Sequence, residues 1–456
     1  MTLQRKTIKR RGFLINTLIF SNLEETTDFI PYAEKQKWQL ERINEVLSLA
    51  KEYSPFYKTF YKELKVNLKS LEEFQKVPMI SSKDIIKTTP PRHMLTGSPK
   101  NSYVFTSGGT TGEPKIIYLT SDELKENIFF HGKGYAMAGI NENDAVATFG
   151  VPGFLTSEFT VYLGLERTGC KIVPIGISSD LERLFNYIKM FNVTTLLVMP
   201  SDVIPLAQYI EKSNKTLSID RIVYGGEKMY SSTKNYLESI LGVKSFKSVF
   251  QSMDVGTIGF QCDYCEPGMY HIHDQLQYTE VLNEKGQPIQ DGNIGELVIT
   301  NLKRKLMPVI RYQTNDLVMK MDTLCPCGRT NPKIKLVGRK GEIIKLGGEQ
   351  IFPQIFAQAC SHLEELTGEF QLLITKHQNR DKIQVCFEVS GKNMDKKIKE
   401  HLISIIKNRI LNFTPKLKQM IQLQVIEPFE ISLVEREKMK ISESSGKIVR
   451  VIDKRK

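Results

Sequence analysis

The sequence predicts an α/β protein: a large N-terminal α/β body of several sheets, closed by a β-rich subdomain, and a small C-terminal α+β domain. Three observations predict it. Beyond residue 100, short apolar runs (Ala145–Phe149, Cys170–Pro174, Thr195–Met199, Arg221–Tyr224 and Lys247–Phe250) alternate with helix-length periodic stretches, the pattern of buried strands joined by helices. Between Tyr278 and Met321 the pattern changes to alternating strands with the turn signals Glu284-Lys285-Gly286 and Gln290-Asp291-Gly292. After Val337-Gly338-Arg339-Lys340-Gly341 a shorter β/α unit begins, so the body is read as residues 1–340 and the small domain as 341–456.

The first element is a basic arm. Arg5, Lys6, Lys9, Arg10 and Arg11 precede the apolar stretch Gly12–Phe20. Asn16 and Thr17 interrupt that stretch and Glu24-Glu25 follows without a small-residue cleavage site, so it reads as an amphipathic first helix or a surface-adhering arm rather than a secretion signal. From Tyr32 to Leu64, Trp38, Leu40, Ile43, Val46, Leu47 and Ala50 recur at helical spacing, ahead of the Pro-bounded aromatics Ser54-Pro55-Phe56-Tyr57. No stretch elsewhere holds the roughly 18 consecutive apolar residues that a spanning helix needs.

Composition narrows the function classes. With 41% hydrophobic and 25% charged residues the chain buries substantial cores, and 30 Gly, 19 Pro and 7 Cys are too few for a collagen-like or disulfide-framework protein. The odd cysteine count fits reduced thiols and a cytoplasmic location. The net charge of +12 invites a nucleic-acid partner. The basic residues are spread along the whole chain, however, and no nucleic-acid partner is expected.

The densest motif is Tyr103-Val104-Phe105-Thr106-Ser107-Gly108-Gly109-Thr110-Thr111-Gly112-Glu113-Pro114-Lys115, a β-type run feeding into hydroxyls, glycines and a lysine. Glycines let the backbone approach an anion, hydroxyls and N–H groups donate to phosphate oxygens, and Lys115 adds a point charge. It is not a Walker A loop, because Glu113 and Pro114 separate the last glycine from the lysine. A second constellation is Cys262-Asp263-Tyr264-Cys265, with His271 and His273 close behind, and Cys325-Pro326-Cys327. Zinc takes four such ligands in a tetrahedron, and there are more candidates here than seats. A zinc-ribbon nucleic-acid module would interleave basic and aromatic residues around these knuckles, whereas Asp263, Glu266, Asp274 and Asp322 surround them. Cys170, Cys360 and Cys386 read as core residues.

The loop resembles the phosphate loop of adenylate-forming enzymes, and Ser107 to Lys115 is similar to the phenylacetate–CoA ligase branch in particular. Further matches follow in the family's order: Val223-Tyr224-Gly225-Gly226-Glu227-Lys228-Met229, Phe250-Gln251-Ser252-Met253-Asp254, Arg311-Tyr312-Gln313-Thr314-Asn315-Asp316, Gly338-Arg339, and Ser444-Ser445-Gly446-Lys447 with Arg450-Val451-Ile452-Asp453.

The resemblance implies an ATP-dependent carboxylate ligase that makes an acyl-adenylate and pyrophosphate, then passes the acyl group to the thiol of coenzyme A or of a carrier-protein phosphopantetheine. A nucleotide-binding scaffold without catalysis is the alternative of another class. It further implies phosphate binding by Thr106, Ser107, Gly108, Gly109, Thr110, Thr111, Gly112 and Lys115, and adenine and ribose binding by Gly225, Gly226, Glu227, Phe250, Gln251, Ser252, Asp316 and Arg339. Asp254, standing where the family usually has glutamate, would bind magnesium, and Lys447 would bridge carboxylate and phosphate in the transition state. Taken alone, Lys447 reads as a solvated lysine. Phe149, Pro152, Phe154 and Met229 would wall an acyl pocket suited to an aromatic or compact acid. The zinc ligands would be four of Cys262, Cys265, His271, Cys325 and Cys327, with Tyr270-His271 fitting the branch better than His273. The small domain would be mobile, yet the usual acidic hinge residue is replaced by Gly341, followed by Glu342. A homodimer stays open as an assembly.

Overall fold

The structure is a computed structural model and describes residues 28–88, 93–106, 115–150, 156–176, 180–347, 349–378, 380–390, 394–442 and 447–455. The basic N-terminal arm lies outside the described residues.

Helix α1 (Tyr32–Tyr53) is followed by α2 (Pro55–Phe60), α3 (Leu71–Phe74) and α4 (Ser82–Lys87). Pro55 starts α2 because a first-turn residue needs no N–H partner, and Ser54 caps it by accepting from Tyr57 N–H at 3.4 Å. Helix covers 32–53 and 55–60 of the segment read as helical, and turns follow to residue 64; the buried face of α1 begins with Lys35 and Gln39 rather than Trp38 and Leu40. Lys35 pairs with buried Asp274 at 2.8 Å and Gln39 donates to the Asp274 carbonyl at 2.7 Å. Polar residues are tolerated inside because each finds a partner.

A hairpin, β1 (Ser102–Thr106) and β2 (Ile116–Thr120), brings Thr106 opposite Ile116. Next come α5 (Ser121–Met137), β3 (Ala145–Thr148), α6 (Thr156–Glu166), β4 (Lys171–Pro174), α7 (Leu181–Met190), β5 (Thr195–Val198), α8 (Pro200–Lys212), β6 (Arg221–Tyr224), α9 (Ser231–Leu241) and β7 (Ser245–Ser248). Their strands form an all-parallel sheet in the order β4-β3-β5-β6-β7. The two-residue period of a strand divides it between two cores. Leu196, Val198, Ile222 and Tyr224 face α7, α8 and α9, while Leu197 and Val223 pack with Tyr135 and Ala138 of the α5 side.

The run Lys247–Phe250 is not one strand. β7 ends at Ser248 and β8 (Phe250–Ser252) belongs to a second sheet. With β9 (Gly256–Phe260), β10 (Met269–Ile272), β11 (Gln277–Leu282), β12 (Ile294–Asn301), β13 (Tyr312–Met321) and β14 (Lys333–Arg339) it forms an antiparallel sheet in the order β11-β12-β13-β14-β10-β9-β8. The β-rich part therefore starts at Phe250, earlier than the alternation at Tyr278 suggests, because all four residues of β10 are buried and show no alternation. Ile258, Ile272, Leu297, Ile299 and Val318 pack with Ile43, Val46 and Leu47 of α1.

After a short turn at Lys340–Glu342 come β15 (Ile344–Leu346), β16 (Glu349–Ile351), α10 (Gln354–Ala359), β17 (Leu366–His377), β18 (Arg380–Val389), α11 (Lys396–Phe413), α12 (Pro415–Gln422), β19 (Glu430–Val434) and β20 (Val451–Asp453). The sheet order β19-β18-β17-β20 encloses a separate core around Phe356, Phe370, Phe387, Ile406 and Ile410. This unit docks on the parallel-sheet side of the body. Ser232 donates to the Gly368 carbonyl at 3.3 Å, Gln208 to the Val389 carbonyl at 3.0 Å, and Arg436 to the Ser201 carbonyl at 3.0 Å. Gly368 has φ +86°, and a Cβ there would lie 2.4 Å from Thr233 N. Only glycine permits that approach. Among the described residues no helix is long and apolar enough to cross a membrane.

Candidate active site

Asp254 sits in the turn between β8 and β9. Its Oδ2 accepts from the Tyr312 hydroxyl at 2.6 Å and from the Lys115 ammonium, which also donates to the Tyr312 oxygen at 3.3 Å. The other carboxylate oxygen, Oδ1, is buried without a partner among the described residues. Burial foremost, and the neighbouring carboxylate, push the Tyr312 phenol far above its ordinary value, so it stays a donor. Behind the turn, fully buried Arg304 donates through Nη1 to the Asp254 carbonyl. The hairpin β1–β2 thus returns Lys115 to the carboxylate expected to bind magnesium. Ser107, Gly108, Gly109, Thr110, Thr111 and Gly112 lie outside the described residues, and Thr106 stands half-buried at the end of β1. An unpaired, buried carboxylate oxygen beside the phosphate-loop lysine fits a hard divalent cation with oxygen ligands.

Asp316 and Arg339 are register partners on β13 and β14, with Arg339 Nε 3.1 Å from Asp316 Oδ1. Burial is the main reason the Asp316 carboxyl is raised to about 6, with Arg339 opposing. The loop after β6 carries Gly225, Gly226 and Glu227. Gly226 has φ +75°, a backbone conformation glycine adopts without strain. Both oxygens of Glu227 accept from Ser201, at 2.9 Å from its N–H and 3.0 Å from its hydroxyl. Phe250 is buried, and Gln251 and Ser252 are half-buried beside it on β8. Lys447 of the small domain reaches into this group and donates to the Gly226 carbonyl at 2.6 Å. Burial lowers its ammonium from the ordinary value, while Glu227 and Asp202 pull the other way. Residues of the Gly225–Glu227 loop and the C-terminal Lys447 therefore meet at one edge of the body.

Phe149 and Met229 are buried in the core beside the parallel sheet, with Ala147, Val198 and Tyr224. Pro152 and Phe154 lie outside the described residues. Gly341 has open space where a Cβ would point and no left-handed φ, so its backbone does not require glycine. Lys340 beside it holds Glu296 at 2.7 Å.

Cys262, His271, Cys325 and Cys327 bring one ligand atom each within 4.8 Å of one another. The Sγ atoms of Cys262 and Cys325 are 3.6 Å apart, and His271 Nε2 is 3.5 Å from both Cys262 and Cys327. A tetrahedron with zinc–sulfur bonds of about 2.3 Å has edges near 3.8 Å. Three thiols and an imidazole at this spacing fit zinc. Cys265 comes within 3.6 Å of Cys262 but is not one of the four mutually close ligands. His273 turns away, between the rings of Phe130 and Phe260.

Two contributors carry little sequence signal. Arg304 sits in Lys303-Arg304-Lys305, a charge run of the kind that usually marks a solvated face. Ser201, the partner of Glu227, is an ordinary first-turn serine of α8. Tyr312 lies inside the Arg311–Asp316 string, but its hydrogen bond to Asp254 arises only when the fold brings β13 beside the turn after β8.

Residues 41–303 match the family model described as AMP-binding enzyme, and residues 348–455 match the AMP-binding enzyme C-terminal domain. The chain is 24% identical to a phenylacetate-coenzyme A ligase of Thermus thermophilus over 94% of this chain and 98% of that one. It is 23% identical to the enzyme of that name from Escherichia coli, over 92% and 95% respectively. Among solved structures, 2-hydroxyisobutyryl-CoA ligase in its postadenylation state superimposes with TM-score 0.80 at 20% identity, covering 97% of this chain and 95% of that one. The same ligase with coenzyme A in the thioesterification state gives TM-score 0.65 at 22% identity, covering 95% and 92%.

Proposed function

The chain belongs to the AMP-binding enzyme family, and from that premise we propose that it is an ATP-dependent acid–thiol ligase acting on an aromatic or compact carboxylic acid, with coenzyme A as acceptor. One observation supports this best. The Lys447 ammonium lies 2.6 Å from the Gly226 carbonyl, on the loop that also carries Glu227, and it feels the charge of Arg339, the partner of Asp316. A carboxylate oxygen attacks the α-phosphorus of ATP, the bond to the bridging oxygen breaks, and pyrophosphate leaves. Both reactants are anions, so the site first has to balance charge. Asp316 and Arg339 hold the ribose, the loop ending at Lys115 takes the phosphates, and Lys447 spans the acyl carboxylate and the α-phosphate as charge builds. Magnesium, held by Asp254, would supply further neutralisation of the phosphates when bound. The thiol of coenzyme A then attacks the acyl carbon and AMP leaves.

The small domain, taken as residues 341–456 after a body of 1–340, acts as a lid that turns between the two steps about Gly341. Its arrangement here, with Lys447 inserted, is the one suited to adenylation. Cys262, His271, Cys325 and Cys327 hold a structural zinc, and the enzyme works in the cytoplasm. Carboxylate-dependent exchange of labelled pyrophosphate into ATP across a panel of aryl and short acyl acids tests the reading. Exchange with one class, followed by thioester formation with coenzyme A alone, is the expected result. ATP binding without exchange for any acid would point to an inactive scaffold, and thioester formation only on a phosphopantetheinylated carrier would reassign the acceptor.

A further inference from the structure

Asp254 is served unequally on its two oxygens. Oδ2 accepts from both the Tyr312 hydroxyl, at 2.6 Å, and the Lys115 ammonium, whereas Oδ1 has no partner among the described residues although it is buried. Tyr312 is 1% exposed and begins β13, and buried Arg304 holds the main-chain carbonyl of Asp254 from the far side, so the turn that carries the carboxylate and its phenol donor are fixed by buried groups. Lys115 is different. It lies just beyond the loop that closes the β1–β2 hairpin, its side chain is 18% exposed, and its ammonium also lies over the Tyr312 ring at 5.9 Å from the centroid. The positive charge next to the carboxylate therefore stands on the more exposed side of the arrangement, 18% exposed against 8% for Asp254, where a phosphate can compete for it.

A buried carboxylate with no counter-ion would be costly, and Lys115 supplies one. The same ammonium opposes a divalent cation arriving alone, because like charges a few ångströms apart in a partly buried site repel strongly. ATP changes the balance, since its phosphates attract the ammonium away from Oδ2 and bring the metal with them. We propose that Lys115 acts as a resident counter-ion that makes metal binding at Asp254 conditional on nucleotide, while Tyr312 keeps Oδ2 occupied so that the metal is taken through Oδ1 alone. The inference rests on the reading of Asp254 as the magnesium ligand and extends it to how that ligand is controlled. Its consequence is order: the metal enters as its ATP complex, and the nucleotide-free enzyme does not collect free divalent ions at this carboxylate.

Binding of Mn2+, followed by its electron paramagnetic resonance signal with and without ATP and with no acid present, tests this independently of turnover. The wild-type enzyme should take up Mn2+ at this site only with ATP. Lys115→Met should bind Mn2+ without nucleotide about ten-fold or more tightly than the wild type does, and Asp254→Asn added to it should remove that binding. Lys115→Arg, which keeps the cation, should restore exclusion, and that result also separates charge from damage to the fold. Tyr312→Phe should leave the nucleotide-free enzyme excluding Mn2+ because Lys115 remains. Equal Mn2+ affinity of wild type and Lys115→Met without nucleotide would overturn the proposal while leaving Asp254 as the ligand. Unchanged ATP-dependent Mn2+ binding in Asp254→Asn would overturn the ligand reading and the proposal together.

Discussion

A lysine near the end of a chain ordinarily lies in water, and Lys447 does so by every local rule. What changes its character is its seat. The ammonium is half-buried against the Gly226 carbonyl, and burial disfavours its charge while Glu227 and Asp202 restore it. A cation held this way is expensive unless a developing negative charge repays it, which is the condition at the α-phosphate during adenylation. Lys447→Ala should slow pyrophosphate exchange by about two orders of magnitude or more, about 2.7 kcal/mol of barrier. Transfer to coenzyme A from supplied acyl-adenylate should change far less, and an equal loss in both steps would argue against this assignment. Asp316, Asp254 and Lys447 stand out in the sequence as candidates because their neighbours form recognisable strings. Arg304 and Ser201 do not, since a buried arginine in a charge run and a helix-start serine look like thousands of solvated ones.

At the scale of elements, the cluster of Cys262, His271, Cys325 and Cys327 adjoins contacts that tie together pieces distant in sequence. Directly after Cys327, Arg329 pairs with Asp28 at 3.3 Å, Thr330 N–H donates to the Asp28 carbonyl at 2.8 Å, and Asn331 donates to Asp274 at 2.8 Å. Lys133 of α5 completes the group with Asp28 at 2.7 Å, and Lys35 of α1 with Asp274. The cluster thus adjoins a buried polar network that anchors the start of α1. Burial of paired ions contributes little net stability but makes loss of one partner severe. Removing zinc by chelation, or substituting Cys325→Ser, should therefore raise hydrogen exchange of residues 28–40 well before the small domain loosens. Uniform protection after confirmed metal loss would contradict the link. The spacing of the Cys pairs marks them as candidates, but which of the five residues draw together was not legible, because Cys265 stays within 3.6 Å of Cys262 and only the fold leaves it out of the group in which all four ligand atoms are mutually close. The strands β9 and β10 escaped for a related reason, since a strand buried on both faces loses the alternation that reveals strands.

For the whole molecule, a large body followed by a C-terminal domain was readable from the change of pattern along the chain, but the contacts between the two were not, because they are single polar residues on otherwise unremarkable elements. One of them ties domain position to pH. Glu388 on β18 is fully buried and accepts from Gln208 of the body at 3.4 Å and from Thr367 at 2.9 Å. Arg436, 3.6 Å away, reaches across to the Ser201 carbonyl. Burial pushes the Glu388 carboxyl up to about 7, with Arg436 opposing and Glu369 adding to the rise. A lid that swings away from Gln208 exposes Glu388 to water and returns it toward the ordinary 4.5. The docked form then binds the proton more tightly, so docking is favoured fully at low pH and loses that contribution as pH rises through about 7. Raising pH from about 5.5 to about 8.5 should shift the lid toward its undocked arrangement, read as energy transfer between dyes on body and lid. Glu388→Gln, neutral throughout and able to keep the contacts to Gln208 and Thr367, should stay docked and flatten that profile. If the mutant and wild-type profiles coincide, the proton that controls docking belongs to another group, and Asp202, raised to about 6 chiefly by burial and next to both Glu227 and Arg436, becomes the residue to change.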